Sequence, residues 1–379
     1  MATQSQRVAS GWLAPLVFTS RDGRRRARRQ RRLCGVIALA ALGLVAACDA
    51  SLVGGAPHVV EVAGETMGTY YSVALVAGRG EAPSASALRE LVEQSLLPIT
   101  TQLSNWSEDS EVSRFNAHSH TDPVAISDEL SEVMQVASVV HERSLGAFDV
   151  TVAPLIELWG FGADGQDARA VPPESAIAEA LEAVGQARGL ELGQDPATLR
   201  KRRPETSVQL AALAKGYGID KVARALRERG WRDFMVEIGG DLYTSGTNRE
   251  GTAWRIGVER PVAGQRSVHQ IIDVSDVGLA TSGDYRNYFE RDGVRYSHII
   301  DATTGRPVTH TTASVTVIAE SAILADAWAT ALLALGQERG MPVAERWGLA
   351  ALFVSREGTA EQPNFVTQAS ERFAELQPE

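Results

Sequence analysis

Between residues 234 and 300 the sequence reads FMVEI (234–238), WRIGV (254–258), VHQIIDV (268–274) and VRYSHII (294–300), four short runs rich in β-branched and aromatic residues. Turn-forming residues separate them, and Asp292-Gly293 stands before the last run as the pair that a two-residue hairpin favours. Similar runs lie outside this stretch at 69–76, 314–318 and 349–354. Helical periodicity appears around them. Leu130, Val133, Met134, Ala137 and Val140 recur at helical spacing behind a Ser127 cap, with Gly146 as the stop, and Ile219, Val222 and Leu226 do the same before Gly230. Strands that follow one another with few helices between them predict an α+β fold. Its sheets are largely antiparallel or mixed and flanked by helices, in a single compact unit.

The N-terminus has a different grammar. A cluster of arginines between Arg21 and Arg32 precedes an apolar run from Val36 to Ala47, the charged-then-apolar order of a secretory signal. The run falls short of the ~20 residues a membrane-spanning helix needs. It ends in Val45-Ala46-Ala47 directly before Cys48, an order that resembles the lipobox of bacterial lipoproteins, in which the cysteine is acylated. The alternative is a plain anchor with Cys48 unmodified. Residues 1–47 are thus expected to be a signal peptide with lipobox and 48–60 a lipidated Cys48 with its tether. The functional domain is expected over 61–360, and a polar C-terminal tail, around one last strand, over 361–379. Asp49 resembles the residue that retains lipoproteins at the inner membrane, so the expected location is that membrane, lipid-anchored on its periplasmic face.

Of the two cysteines, Cys34 lies in the signal and Cys48 is the lipid site. The exported part therefore has no disulfide and no cysteine-based metal site. The whole chain carries a net charge of −10, and its first 47 residues hold nine arginines against one aspartate. The exported part is accordingly near −18, which argues against nucleic acid as a partner.

No Walker motif, zinc-type His pair or nucleophile elbow is present. What remains is a series of polar islands. Gly64-Glu65-Thr66-Met67-Gly68-Thr69 is a turn entering a strand. Leu103-Ser104-Asn105-Trp106 offers a Trp that is either core or a stacking surface for a planar ligand. In Gly146-Ala147-Phe148-Asp149 a helix ends beside an acid of the kind that caps a turn. At 211–220 (AALAKGYGID) a strand is expected to run into a helix, with Lys215 and Gly216 at the junction. A lysine there opposes the helix dipole and asks for a compensating anion, such as a phosphate, unless it is simply solvated. Glu237-Ile238-Gly239-Gly240-Asp241 ends a strand in glycines that either admit a ligand or make a turn. His298 beside Asp301 suits acid or base work, although a lone histidine is also a common structural residue. Asp326 and Thr330 sit one helical turn apart in an almost wholly apolar helix, presenting hard oxygens to one face. Such a pair suits Mg²⁺, or else Asp326 pairs with a distant arginine.

The order and wording of these islands resemble the ApbE family of FAD:protein FMN transferases. The likeness runs over residues 66–336 and rests on Met67-Gly68-Thr69, Gly146-Ala147-Phe148-Asp149, Ala214-Lys215-Gly216, Glu237-Ile238-Gly239-Gly240, His298-Ile299-Ile300-Asp301, and Asp326 with Thr330. It implies an enzyme that uses Mg²⁺ to cleave FAD and passes FMN to a Thr or Ser hydroxyl of another protein, releasing AMP. By that analogy Met67, Trp106, Ala147, Phe148, Asp149, Gln209, Lys215 and His298 contact FAD. Asp326, Thr330 and the Ala212 carbonyl hold the metal, and His298 with Asp301 serves the chemistry. The implied acceptors are subunits of Rnf- or Nqr-type or other extracytoplasmic electron-transfer complexes.

One position departs from the pattern. The family usually carries an Asp six residues before the Ala-Lys-Gly lysine, and here Gln209 keeps a carbonyl but loses the charge. An FAD pyrophosphatase and a non-catalytic flavin-binding lipoprotein are the alternative readings.

Overall fold

β1 (His58–Thr66) and β2 (Thr69–Ala77) form a hairpin turned by Met67 and Gly68, both at positive φ (50° and 70°). That is the two-residue turn whose twist matches its strands. The computed structural model describes residues 58–78, 82–162, 170–264, 267–358 and 363–377, all within one unit, Gly54–Glu379. The signal segment, Cys48, Asp49 and the tether up to residue 57 lie outside the described residues, as do 163–169 in the loop before Pro173.

After the hairpin come α1 (Ala85–Gln102), α2 (Glu111–Ala117), β3 (Val124–Ala125), α3 (Asp128–Arg143), α4 (Ala153–Leu158), α5 (Glu174–Ala183), α6 (Gln186–Gly189), β4 (Leu190–Gly193) and β5 (Thr198–Lys201). α7 (Ala214–Glu228) leads to β6 (Asp233–Ile238), β7 (Asp241–Ser245), β8 (Trp254–Glu259), β9 (Val268–Val274) and β10 (Gly278–Gly283). The chain continues through β11 (Tyr288–Arg291), β12 (Val294–Ser297), β13 (Ile300–Asp301), β14 (Arg306–Pro307) and β15 (Thr312–Ala319). It closes with α8 (Ala322–Trp347), β16 (Ala350–Gly358), β17 (Pro363–Ala369) and α9 (Glu371–Leu376).

The main sheet has eight strands in the order β1-β2-β6-β7-β10-β15-β16-β17, and each neighbouring pair is antiparallel. This is the α+β architecture that the strand runs predict. Alternation on β2 buries Tyr71, Val73 and Leu75 against Leu88, Val92 and Leu96 of α1 and Ile219 and Val222 of α7. Val315 and Val317 of β15 face the apolar side of α8, together with Leu130, Val133 and Met134 of α3. The β8–β9 ribbon and Phe373 of α9 cover the other face over Leu279, Ile318 and Leu352. α4 and α5 enclose a smaller cluster around Trp159, Phe161 and Ile300.

Two boundaries fall differently from the sequence expectation. β1 begins at His58, inside the expected tether, and residues 363–376 of the expected polar tail form the edge strand β17 and helix α9. β17 reads as polar because its described side chains are mostly exposed at the sheet edge. Asp292 and Gly293, at φ 52° and 75°, make the turn between β11 and β12 as predicted. The strand expected to enter α7 is absent, because residues 206–210 spend backbone bonds on side chains. The Val208 carbonyl accepts from Asn105 Nδ2 and Asn116 Nδ2, Val208 N donates to Asn116 Oδ1, and Leu210 N donates to Asn105 Oδ1.

Candidate functional site

The site begins where α7 crosses α8. A Cβ on Gly216 would lie 2.5 Å from the Ala322 carbonyl oxygen and from Ile323 Cα, so only glycine lets the two backbones come this close. Asp220, one turn along α7, accepts from Ala322 N (2.8 Å) and Ile323 N (2.9 Å) and so caps the start of α8. Burial leads the shift that pushes the Asp220 carboxyl up to about 6, against those two amides.

This crossing places Lys215 beside Asp326. Lys215 Nζ lies 3.8 Å from Asp326 Oδ1 and forms a short ion pair with Asp241 Oδ2, at the first residue of β7. Gly216 N donates to Asp326 Oδ2 at 3.3 Å. In a regular helix that amide would bond the Ala212 carbonyl, which sits in the turn before α7. Asp241 Oδ1 accepts from Thr281 N (3.1 Å) on β10. Gly239 and Gly240, both at positive φ, turn β6 into β7 and bring Asp241 to this point. Both carboxylates are 3% exposed.

The electrostatics follow from two carboxylates sharing one ammonium. Burial pushes the Asp326 carboxyl up to about 7; Lys215 opposes the rise and Asp241 adds to it. Burial disfavours the Lys215 ammonium, but Asp326 and Asp241 together hold it above the ordinary lysine value. The three groups retain one net negative charge when ionised, in a place where water screens little. Thr330, one turn beyond Asp326 on α8, bonds the Ser282 hydroxyl of β10 at 3.0 Å.

A hard divalent cation fits these residues. Asp326, the Thr330 hydroxyl and the Ala212 carbonyl are oxygen donors of the kind Mg²⁺ takes, and the residual negative charge favours a cation. Among the described residues no group of three or more His, Cys, Asp or Glu side chains forms a metal cage. A cation here would draw on carbonyl, hydroxyl, water and phosphate oxygens, the usual habit of Mg²⁺.

The second and third islands meet the same region. Gln209 N donates to the Val150 carbonyl at 2.7 Å, and its side-chain carbonyl accepts from Ala211 N at 3.3 Å. The change from Asp thus keeps a local bond that either residue can make. Trp106 is 69% exposed, which overturns its reading as a core residue and leaves a free aromatic face. Asp149 caps its own turn through Thr151 N (2.8 Å) and accepts from Gln186 N (2.8 Å). Phe148 is buried in the core, Ala147 packs against that cluster, and Met67 touches the clusters on both sides of α7. An open cleft of about 510 Å³ lined by His141, Leu145, Gly146 and Gln186 borders this island.

His298 lies between β12 and β13. Its Nδ1 is 3.0 Å from the Asn287 carbonyl, which only accepts, so Nδ1 carries a proton. Phe161 meets the ring edge-on at 6.4 Å. Asp301 is engaged elsewhere. It accepts from Thr303 N (2.9 Å) and pairs with Arg339 Nη2 (3.1 Å). Burial opposes ionisation, but the Thr303 and Arg339 bonds hold its carboxyl below the usual range.

Sequence reasoning missed Asp241 and Asp220 as site-building acids and Ser282 as the partner of Thr330. Asp241 opens the strand β7, buried at every position, a setting that packing alone reveals. The alternative reading of Asp326, a pair with a distant arginine, gives way to Lys215 as the cation beside it.

The sequence profile of the ApbE family matches residues 67–353. The FAD:protein FMN transferase of Vibrio cholerae is 43% identical over 320 residues, covering 84% of this chain and 92% of the relative. That of Haemophilus influenzae is 36% identical over 350 residues, covering 92% and 98%. The solved structure of the flavin transferase ApbE from Vibrio cholerae superposes with a TM-score of 0.76 at 40% identity, covering 84% of this chain and 99% of that one. The apo flavinyl transferase ApbE of Pseudomonas stutzeri gives 0.77 at 39% identity, covering 85% and 98%.

Proposed function

Because the chain belongs to the ApbE family and is a transferase, we propose that it transfers the FMN moiety of FAD to a Thr or Ser hydroxyl of an extracytoplasmic protein. The product is a phosphoester-linked flavin, and AMP leaves. The observation that carries this reading is the Lys215 ammonium held between the buried Asp241 and Asp326 carboxylates at the α7–α8 crossing. That arrangement is built to receive a cation and a polyanion together.

The chemistry assigns work to particular atoms. The acceptor oxygen forms a bond to the FMN phosphorus, the pyrophosphate P–O bond breaks, and the bridging oxygen departs with AMP. Nε2 of His298 takes the hydroxyl proton, and the Asn287 carbonyl keeps Nδ1 protonated. Lys215 binds a pyrophosphate oxygen and offsets charge on the leaving group. Asp326, Thr330 and the Ala212 carbonyl would hold Mg²⁺, whose charge when bound neutralises the pyrophosphate. The exposed face of Trp106 offers a stacking surface for a planar ring. A lipid on Cys48 would keep the enzyme at the periplasmic face of the inner membrane. It would thereby raise the effective concentration near acceptor subunits of Rnf- or Nqr-type complexes.

The test incubates the full chain, in mild detergent, with FAD, Mg²⁺ and such a subunit. Covalent flavin on the acceptor, seen by in-gel fluorescence and by mass, is the expected result. Free FMN with an unlabelled acceptor would show a pyrophosphatase instead, and FAD bound without either product would show a carrier.

A further inference from the structure

We infer that Asp241 is a positioning residue that holds the Lys215 ammonium away from Asp326 and so leaves Asp326 open to a divalent cation. The inference rests on the reading of Asp326 as a metal ligand. Lysine and a metal ion compete for the same carboxylate, and an ammonium bound directly to Asp326 would displace the metal it is meant to hold.

The geometry shows how the competition is settled. Lys215 Nζ makes its short ion pair with Asp241 Oδ2 and stands 3.8 Å from Asp326 Oδ1, beyond hydrogen-bond reach. Asp241 cannot follow the lysine elsewhere. Its Oδ1 accepts from Thr281 N at 3.1 Å, its backbone pairs with Ile238 across the Gly239-Gly240 turn, and the strand it opens is buried at every position. Lys215 is different, with a flexible stem and a side chain 31% exposed. A rigid buried acid therefore fixes where a mobile cation rests. Asp241 would leave both the metal and the flavin untouched, since its two oxygens are taken by Lys215 and Thr281.

Removing its charge has a defined consequence. With Asp241→Asn the ammonium loses its nearer charged partner, moves to Asp326 and neutralises it. Asn keeps an oxygen for Thr281 N, so the sheet contact survives.

The experiment titrates Mn²⁺ alone, without FAD, into the full chain in mild detergent and reads free Mn²⁺ by electron paramagnetic resonance. Wild type, Asp241→Asn, Lys215→Met and the double variant are compared. Asp241→Asn is expected to weaken Mn²⁺ binding by roughly tenfold or more, the scale of a lost partner behind a metal ligand. Lys215→Met should bind at least as tightly as wild type, and the double variant should regain what Asp241→Asn loses. Wild-type affinity in Asp241→Asn, or a double variant as weak as that single one, would overturn the inference. Were Asp241→Asn not to fold, weaker binding by Lys215→Met would overturn it equally. A wild-type protein that binds no Mn²⁺ removes the metal reading itself, a failure distinct from the others.

Discussion

Gly216 shows how one missing methyl group sets the site. Inside a helix, Gly→Ala ordinarily stabilises by ~0.5–1 kcal/mol. Here the new Cβ would meet the Ala322 carbonyl and Ile323 Cα at 2.5 Å, and both are backbone that yields little. Gly216→Ala should therefore destabilise by about 1–3 kcal/mol, read as a lower urea midpoint. It should also weaken Mn²⁺ binding by moving the Ala212 carbonyl away from Asp326, and a variant as stable as wild type would show that the crossing is not tight. The residues legible in the sequence were those whose meaning is local. Asp326 and Thr330 share a helical face, and Lys215 with Gly216 marks a helix start. Asp241 was illegible because its partner lies 26 positions away, and nothing near it in sequence asks for a cation. Trp106 was ambiguous for the related reason that exposure is decided by packing and not by residue type.

At the level of elements, α8 carries a break. Gly336 has φ 70° and ψ 170° within the span Ala322–Trp347, so the half bearing Asp326 and Thr330 ends there. The His310 ring fills the space a Cβ at Gly336 would need, and both ring nitrogens are buried without a well-formed hydrogen bond. Burial pushes the His310 pKa down, with Arg339 adding to that and Asp284 and the Leu333 carbonyl opposing it. The sign of the pH effect follows. Above pH ~6.5 His310 is neutral in both folded and unfolded chains, and its contribution is fully present. As pH falls below that value the unfolded chain takes a proton that the native ring resists, so stability is lost toward the depressed native pKa. Wild type should lose more thermal stability between pH 7 and pH 5 than His310→Gln, and parallel melting curves would refute this. Element type was readable where β-branched runs alternate, as in β2, β6 and β9. β10, GLATSG, escaped notice because small residues replace branched ones where Gly278 passes against Ser321 and Ala322.

For the whole molecule, the decisive fact is that the sheet is covered on both faces. Helices α1, α3, α7 and α8 protect one side, while the β8–β9 ribbon and α9 protect the other. Phe373, 2% exposed, anchors α9 over Leu279, Ile318 and Leu352. Phe373→Ala should cost about 3–5 kcal/mol, measured by urea unfolding; a loss under 1 kcal/mol would mean that the C-terminal helix is dispensable. The single unit, its α+β class and one last strand in the tail were legible in the sequence, whereas α9 and the face it closes were not, since nothing local in the tail says what it covers. The strand order also turns the sheet into a ruler. β1 and β17, the first and last described strands, occupy opposite edges, separated by seven spacings of ~4.8 Å, roughly 30 Å once twist is allowed for. A pair of dyes at residues 58 and 367 would thus report in one optical signal whether every pairing between the two edges is still closed.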